Sequence, residues 1–201
     1  LCERAFAPWP DMEEQLRARG LPVLTCETHR SLTDFDVVGF SLQYELTFTN
    51  MLNLMDLCGI PVRWADRDAS HPLIVAGGPV ATQPEPVAPF VDVFLIGDAE
   101  EKLPEMLRTV ARCRDAQLPR HETLVELAKL GGLYCPALYE VDVVDRGGFQ
   151  VVTGPKVEGI PEHPRREIAE DLDRYPFPDD SPVAAAEAIF DRMSVEIARG
   201  C

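Results

Sequence analysis

Three short runs of apolar residues, each long enough for one β-strand, constrain the fold of this chain most strongly. They are residues 36–42 (DVVGFSL), 73–76 (LIVA) and 91–96 (VDVFLI). Strands without alternating polar residues are typical of parallel sheets that are covered by helices on both faces. The three runs therefore predict a parallel sheet at the centre of an α/β domain.

Helical patterns alternate with these runs. Residues 47–58 carry apolar side chains at helical spacing, and Gly59 is placed to end the helix. Asp98 is a good N-cap for a later helix, and Glu101, three positions on, would complete a capping box. The alternation predicts a doubly wound α/β domain over residues 1–116.

Weaker patterns predict the remaining elements. Two further helices are expected at residues 10–20 and 122–130, and two further strands at residues 21–26 and 60–64. The turn residues 145–148 (DRGG), between residues 138–144 and 149–153, predict a β-hairpin. The later helix and the hairpin form a predicted extension, residues 117–154.

Proline and acidic residues are concentrated after the hairpin. The chain has 18 prolines among 201 residues and a net charge of −15. Residues 155–190 are predicted to form an acidic, proline-rich linker, and residues 191–201 to begin a new sheet. The acidity argues against a nucleic-acid surface, which needs clustered Lys and Arg. No apolar run approaches the length of a membrane span, about 20 residues.

Ligands of open parallel sheets bind beyond the carboxyl ends of the strands. Here those ends lead into residues 41–47, 77–82 and 97–101. The candidate ligand-binding residues in these loops are Ser41, Gln43, Tyr44, Gly77, Gly78, Pro79, Gly97 and Asp98. Glycines at 77 and 78 would let a ligand approach the backbone closely. For residues 97–101, a tight capped turn is an equally good interpretation, since their carboxylates repel a phosphate.

Several classes of active site are not supported. The histidines are isolated, the cysteines form no CxxC pair, and no P-loop, GxSxG or complete GxGxxG motif occurs. A metal site made by this chain alone, a hydrolase site and a kinase site are therefore not expected. Scattered cysteines without a signal peptide are typical of a reducing, cytoplasmic setting.

The final segment carries a resemblance to a known family. Residues 195–201 (VEIARGC) resemble the end of the first barrel strand of radical S-adenosylmethionine (SAM) proteins, which leads into a CxxxCxxC loop. Three cysteines on one loop can bind three irons of a [4Fe–4S] cluster and leave the fourth iron for SAM. The resemblance implies that Cys201 is the first cluster ligand and that the other two ligands lie beyond it.

Other segments agree with this resemblance, and in the same order along the chain. Residues 73–79, 84–86 and 92–101 resemble the cobalamin (B12)-binding, flavodoxin-like domain found ahead of such barrels, and residues 170–178 resemble the linker between the two domains. With residues 6–12 and 39–45, the pattern is close to one uncharacterised family of B12-binding-domain radical SAM proteins. The implied cofactors are a [4Fe–4S] cluster and SAM, with cobalamin as a third candidate.

The chain also departs from the B12-binding pattern. The DxHxxG motif, whose histidine ligates cobalt, is absent, and Val80 stands where many relatives have a histidine. The first strand of the sheet is expected upstream of Leu1. The domain would therefore either hold cobalamin over the reaction site or be a degenerate scaffold that shapes substrate access.

The resemblance implies the N-terminal part of a radical SAM enzyme. Such enzymes cleave SAM reductively to methionine and a 5′-deoxyadenosyl radical, which removes a hydrogen atom from the substrate. The 201 residues alone are expected to be an inactive fragment, because one thiolate does not hold the cluster. The alternative is a non-catalytic, flavodoxin-like binding or regulatory module. The residues encoded after Cys201 distinguish the two, since CxxxCxxC requires two further cysteines there.

Overall fold

The computed structural model describes residues 1–143, 148, 150–176, 196–197 and 199. The chain forms two compact units, Leu1–Ile168 and Ala169–Cys201. Most of the predicted start of the barrel, residues 191–201, lies outside the described residues, and so does Cys201. The predicted divisions at residues 116, 154 and 190 stay predictions.

The centre of the first unit is a four-stranded sheet with the order β1–β2–β3–β4. Its strands are β1 (Val37–Ser41), β2 (Leu73–Gly77), β3 (Val93–Leu95) and β4 (Leu133–Tyr134). The first three strands are parallel and β4 is antiparallel to β3, so the parallel arrangement predicted from the three apolar runs is confirmed. β4 was missed because a two-residue strand carries no periodic pattern.

Two finer expectations about this sheet differ from the structure. Burial on both faces holds for β2 and β3 but not for β1, where Gly39 is exposed. β1 is an edge strand among the described strands, and an edge strand has less cover. The spatial order follows the chain order, so the reversal that defines a doubly wound sheet does not occur among these four strands.

The described part of the first unit contains four α-helices. They are α1 (Pro10–Arg19), α2 (Thr47–Leu57), α3 (Lys102–Asp115) and α4 (Arg120–Ala128). α2 buries its apolar face against the core, as the helical spacing predicted. In α3 the predicted face is buried at Met106 and Val110, whereas Leu103 and Leu107 on the same face are exposed. Among the described residues, every helix is too short or too polar to span a bilayer.

The predicted capping box at Asp98 is wrong. α3 begins at Lys102, its N-cap is Glu101, and no side chain caps it. The backbone N–H of Asp98 instead donates to the carbonyl of Glu167, 3.0 Å away. Residue 98 therefore continues the line of β3 and does not start the helix.

The predicted strands at residues 21–26 and 60–64 are also wrong. In the first segment, Leu24 forms one isolated bridge to Ser31. In the second, a 3₁₀ turn begins at Trp64, and the guanidinium of Arg67 donates to the carbonyls of Pro61 and Val62. These carbonyls are satisfied by a side chain, so they need no strand partner.

The predicted hairpin is confirmed. β5 (Tyr139–Val143) pairs antiparallel with β6 (Gln150–Pro155), while most of the turn between them lies outside the described residues. Tyr139 is buried, and its ring lies 5.0 Å from that of Tyr134 in β4. The aromatic contact fixes the base of the hairpin to the end of the central sheet.

Candidate functional site

The loops that follow β1 and β2 meet at the carboxyl edge of the sheet. Ser41 and Gly77 are register partners, and the N–H of Leu42 donates to the Gly77 carbonyl at 2.7 Å. The carbonyl of Leu42 accepts from the N–H of Val80 at 3.3 Å. Two of the three predicted loops are therefore joined through backbone groups.

Gly78 makes the closest approach between these loops. Its φ is +105°, and a β-carbon at this position would lie 2.7 Å from the carbonyl oxygen of Leu42. Only glycine satisfies both the dihedral and the space. The glycine pair was expected to let a ligand approach the backbone closely. At Gly78 the residue that approaches is Leu42, which is itself buried.

Polar side chains cover the outer side of the first loop. The Nε2 of Gln43 donates to the Oγ of Ser41 at 2.9 Å, and both residues are exposed. Tyr44 is 55% exposed, and its carbonyl accepts from the Oγ1 of Thr47. Pro79 is exposed on the second loop. These side chains offer a shallow polar surface with one aromatic ring.

The third predicted loop is covered by the chain itself. Gly97 forms a parallel bridge with Glu167, whose N–H donates to the carbonyl of Ile96 at 2.8 Å. A β-carbon at Gly97 would collide with the Glu167 carbonyl. We call residues 165–168 the strap. The strap occupies the position that a ligand of Gly97 and Asp98 would need.

The side chain of Glu167 is held from below by Lys102. The Nζ of Lys102 lies 3.6 Å from the Oε1 of Glu167, 2.8 Å from the Oε2 of Glu105 and 3.1 Å from the carbonyl of Leu130. Burial opposes the charged form of Lys102, yet the two carboxylates raise its pKa above the ordinary value. A β-carbon at Gly132 would collide with the Glu167 side chain.

These contacts were missed at the sequence level. Lys102 and Glu167 are separated by 65 positions (167 − 102), and neither belongs to a motif. Gly132 follows the helix predicted at residues 122–130 and belongs to no motif either. A charged pair between residues so distant in sequence can be identified only once the folded structure brings the two segments together.

The opposite, amino end of the sheet holds a buried ionic cluster. The Oδ2 of Asp92 accepts from the N–H of Ile74 and from the Nη2 of Arg120, both at 2.7 Å. The Nε of Arg67 lies 3.2 Å from the same oxygen, and the Arg67 side chain is fully buried. Burial lowers the pKa of Arg67, and the Asp92 carboxylate opposes this change.

This cluster joins elements rather than forming a ligand site. The Arg67 guanidinium also donates to the carbonyl of Phe90, and that of Arg120 donates to the carbonyls of His71 and Pro72. Each guanidinium therefore ties loops to the start of β3. A cavity of about 470 Å³ adjoins this end and is lined by His71 and Arg120 among others.

The described residues form no group of three or more His, Cys, Asp or Glu side chains that could hold a metal ion. None of the three candidate loops contains a histidine. His71 lies at the amino end of β2, where its Nδ1 is 2.8 Å from the Oδ1 of Asp68. Cys201 lies outside the described residues.

A family model described as "Radical SAM proteins, N-terminal" matches residues 1–136. The chain belongs to the radical SAM N-terminal family. The match includes the four strands of the central sheet and all three candidate loops, and it ends ahead of the hairpin and the strap. No curated protein and no solved structure matches the chain. The predicted relation to radical SAM proteins is confirmed, whereas cobalamin binding and the fragment interpretation stay predictions.

Proposed function

We propose that this chain is the N-terminal portion of a radical SAM enzyme, and that its first unit is an accessory domain that shapes substrate access without binding cobalamin. The family membership supports the first part of this proposal. The second part depends on the carboxyl edge of the sheet, where the chain's own backbone fills the positions that a ligand would use.

The residues at this edge do not fit cobalamin. A corrinoid needs open space over the strand ends. The backbone of Leu42 fills the space at Gly78, and in this structure the strap residue Glu167 fills the space at Gly97. We therefore assign no cobalt chemistry to this unit.

The exposed face of the first loop fits the role of an access surface. Ser41, Gln43 and Tyr44 project polar groups from a loop whose backbone is fixed by Leu42. A surface of this kind can contact a polar or aromatic substrate without enclosing it. The backbone hydrogen bonds between the two joined loops position this surface.

The radical chemistry would depend on the segment that begins at Cys201. We propose Cys201 as the first of three thiolates that bind a [4Fe–4S] cluster, which supplies the electron for reductive cleavage of SAM. The support for this role is the VEIARGC segment together with the family membership.

Anaerobic titration with hydroxocobalamin tests the assignment of the first unit. The visible spectrum of hydroxocobalamin should stay unchanged as the protein is added in large excess, and the corrinoid should not co-elute with the protein in gel filtration. A shifted spectrum with stoichiometric co-elution would overturn the accessory-domain proposal and restore the cobalamin interpretation.

A further inference from the structure

The strap and the surface on which it lies form an intramolecular docking contact. We propose that Gly97, Gly132 and Lys102 form a seat for an extended segment with an acidic side chain, and that the strap is its releasable occupant. While the strap is seated, the third loop is closed and the ligand edge consists of the loops after β1 and β2. This inference rests on the proposed function in assigning that edge to substrate access.

Two glycines of the seat lie close against one residue, Glu167. At Gly97 a β-carbon would meet the carbonyl oxygen and the nitrogen of Glu167, and at Gly132 it would meet the Glu167 side chain. Gly131, the neighbour of Gly132, has open space around it at a similar φ of +72°. The lack of a β-carbon is therefore required at the two positions that touch Glu167.

Hydrogen bonds define the direction of the occupant. The N–H of Ile96 donates to the carbonyl of Gly132, and the carbonyl of Ile96 accepts from the N–H of Glu167. The N–H of Asp98 then donates to the carbonyl of Glu167. The strap thus adds one parallel position to β3 beyond the end of β4, which is the geometry of strand addition at a sheet edge.

Charge selects the side chain of the occupant. The Nζ of Lys102 is largely buried and lies 3.6 Å from the Oε1 of Glu167. If a neutral or basic residue replaced Glu167, Glu105 would be the carboxylate that still contacts the Lys102 ammonium. The seat therefore favours a glutamate over other residue types.

The strap is attached by contacts that can open without unfolding the core. Ile168 is 69% exposed, and Arg165 and Arg166 are also exposed, so the strap buries no apolar side chain. Segments held by few apolar contacts open at a lower free energy than core strands. β3, on which the strap lies, is buried along its whole length.

Backbone hydrogen–deuterium exchange tests the contact in the absence of any ligand. The amides of Asp98 and Glu167 donate across the contact, while the amide of Leu73 donates to Asp36 within the sheet region and is the internal reference. In the unaltered chain, we expect Asp98 and Glu167 to exchange well before Leu73. If all three amides exchanged at one common rate, the strap would open only together with the core. That result would overturn the proposal that the strap is releasable.

Two glycine variants form a matched pair for the seat. Gly97→Ala places a methyl group against the Glu167 backbone at a φ of +102°, and Gly131→Ala places one in open space at a φ of +72°. We expect the Glu167 amide to exchange about tenfold faster in Gly97→Ala than in Gly131→Ala, as for the loss of one ordinary hydrogen bond. Equal rates would contradict the seat.

A second pair addresses the charge and covers the case in which Gly97→Ala does not fold. Glu167→Gln removes the charge opposite Lys102, and Glu162→Gln removes an exposed charge nearby in sequence. Faster exchange of the Asp98 amide in Glu167→Gln alone supports the proposal, and the same rate in both variants overturns it. The readout involves no corrinoid, so its failure and the failure of the proposed function are separate results.

Discussion

The carbonyl oxygen of Leu42 lies 2.7 Å from the place where a β-carbon on residue 78 would stand, so Gly78 is required by the fold of the joined loops. Gly78→Ala should lower the free energy of unfolding by about 1–3 kcal/mol, because alanine combines an unfavourable φ with a backbone collision. Urea unfolding followed by circular dichroism measures this change.

Gly59→Ala is the control for that substitution. Gly59 ends α2 with a φ of +68° and has open space around it. The φ of Gly59 lies near the left-handed helical region and costs alanine less than the φ of +105° at Gly78, and Gly59 has no collision, so its loss of stability should be smaller. Equal losses in the two variants would show that Leu42 does not constrain residue 78.

The buried cluster at the amino end of the sheet should be essential for stability. Asp92→Asn removes the charge opposite Arg67 and Arg120 and leaves two guanidinium groups buried beside a neutral amide. Breaking a buried ion pair in this way costs about 3–5 kcal/mol. Thermal and urea unfolding should both show the loss.

An exposed ion pair provides the comparison for this cluster. Asp36 and Arg114 lie 2.9 Å apart, with more than half of each side chain exposed. Asp36→Asn should change the stability little, because solvent screens such pairs. If the two Asp→Asn variants were equally stable, the cluster would have no structural role.

Asp68 should titrate well below an ordinary aspartate. The Ser70 hydroxyl and backbone N–H donate to its carboxylate, and His71 also contacts it, which lowers the pKa from 3.8 to about 2. The stabilising contribution of this carboxylate is thus complete above pH 3.8 and is lost as the pH falls towards about 2. Carbon-13 NMR of the side-chain carboxyl follows the titration.

Ser70→Ala tests the cause of that shift. The variant keeps the backbone donor and loses the hydroxyl donor, so the pKa of Asp68 should rise towards the ordinary value. Thr33→Ala, which alters another residue at the same cavity, should leave the Asp68 titration where it was. An unchanged midpoint in Ser70→Ala would contradict the assigned hydrogen bond.

Thiol reactivity should divide the cysteines of the first unit. Cys2 and Cys26 are exposed, whereas Cys58, Cys113 and Cys135 are buried. Burial raises the pKa of Cys58 and of Cys135, which disfavours the reactive thiolate. Iodoacetamide should label the two exposed thiols in native protein, and the other three only after denaturation. Mass spectrometry that finds Cys135 labelled as fast as Cys26 would show that the native core is open.

Strands β2 and β3 could be predicted from the sequence because continuous apolar runs need cover on both faces, and both strands lie inside the sheet. The run that forms β1 has a similar composition, yet its exposure depends on which neighbours pair with it. The segments at residues 21–26 and 60–64 also have strand-like composition. Their backbone groups are satisfied by Arg30, Arg4 and Arg67 instead of by a strand.

The position of the candidate site could be predicted from the sequence, but the strap that covers its third loop could not. The carboxyl ends of parallel strands meet at one edge, so the residues of the first two loops do come together there. The strap could not be foreseen, because the bridge between Gly97 and Glu167 uses backbone groups that every residue carries. Its one side-chain signal, Lys102 opposite Glu167, joins residues from distant parts of the sequence.

We propose above that Cys201 is the first ligand of a [4Fe–4S] cluster in a radical SAM enzyme. The most direct measurement is electron paramagnetic resonance of the full-length gene product after iron–sulfide reconstitution and reduction, with Cys201→Ser compared with Cys26→Ser. We expect a reduced-cluster signal that changes on addition of SAM in Cys26→Ser and is absent in Cys201→Ser. The same SAM-responsive signal in both variants would contradict it.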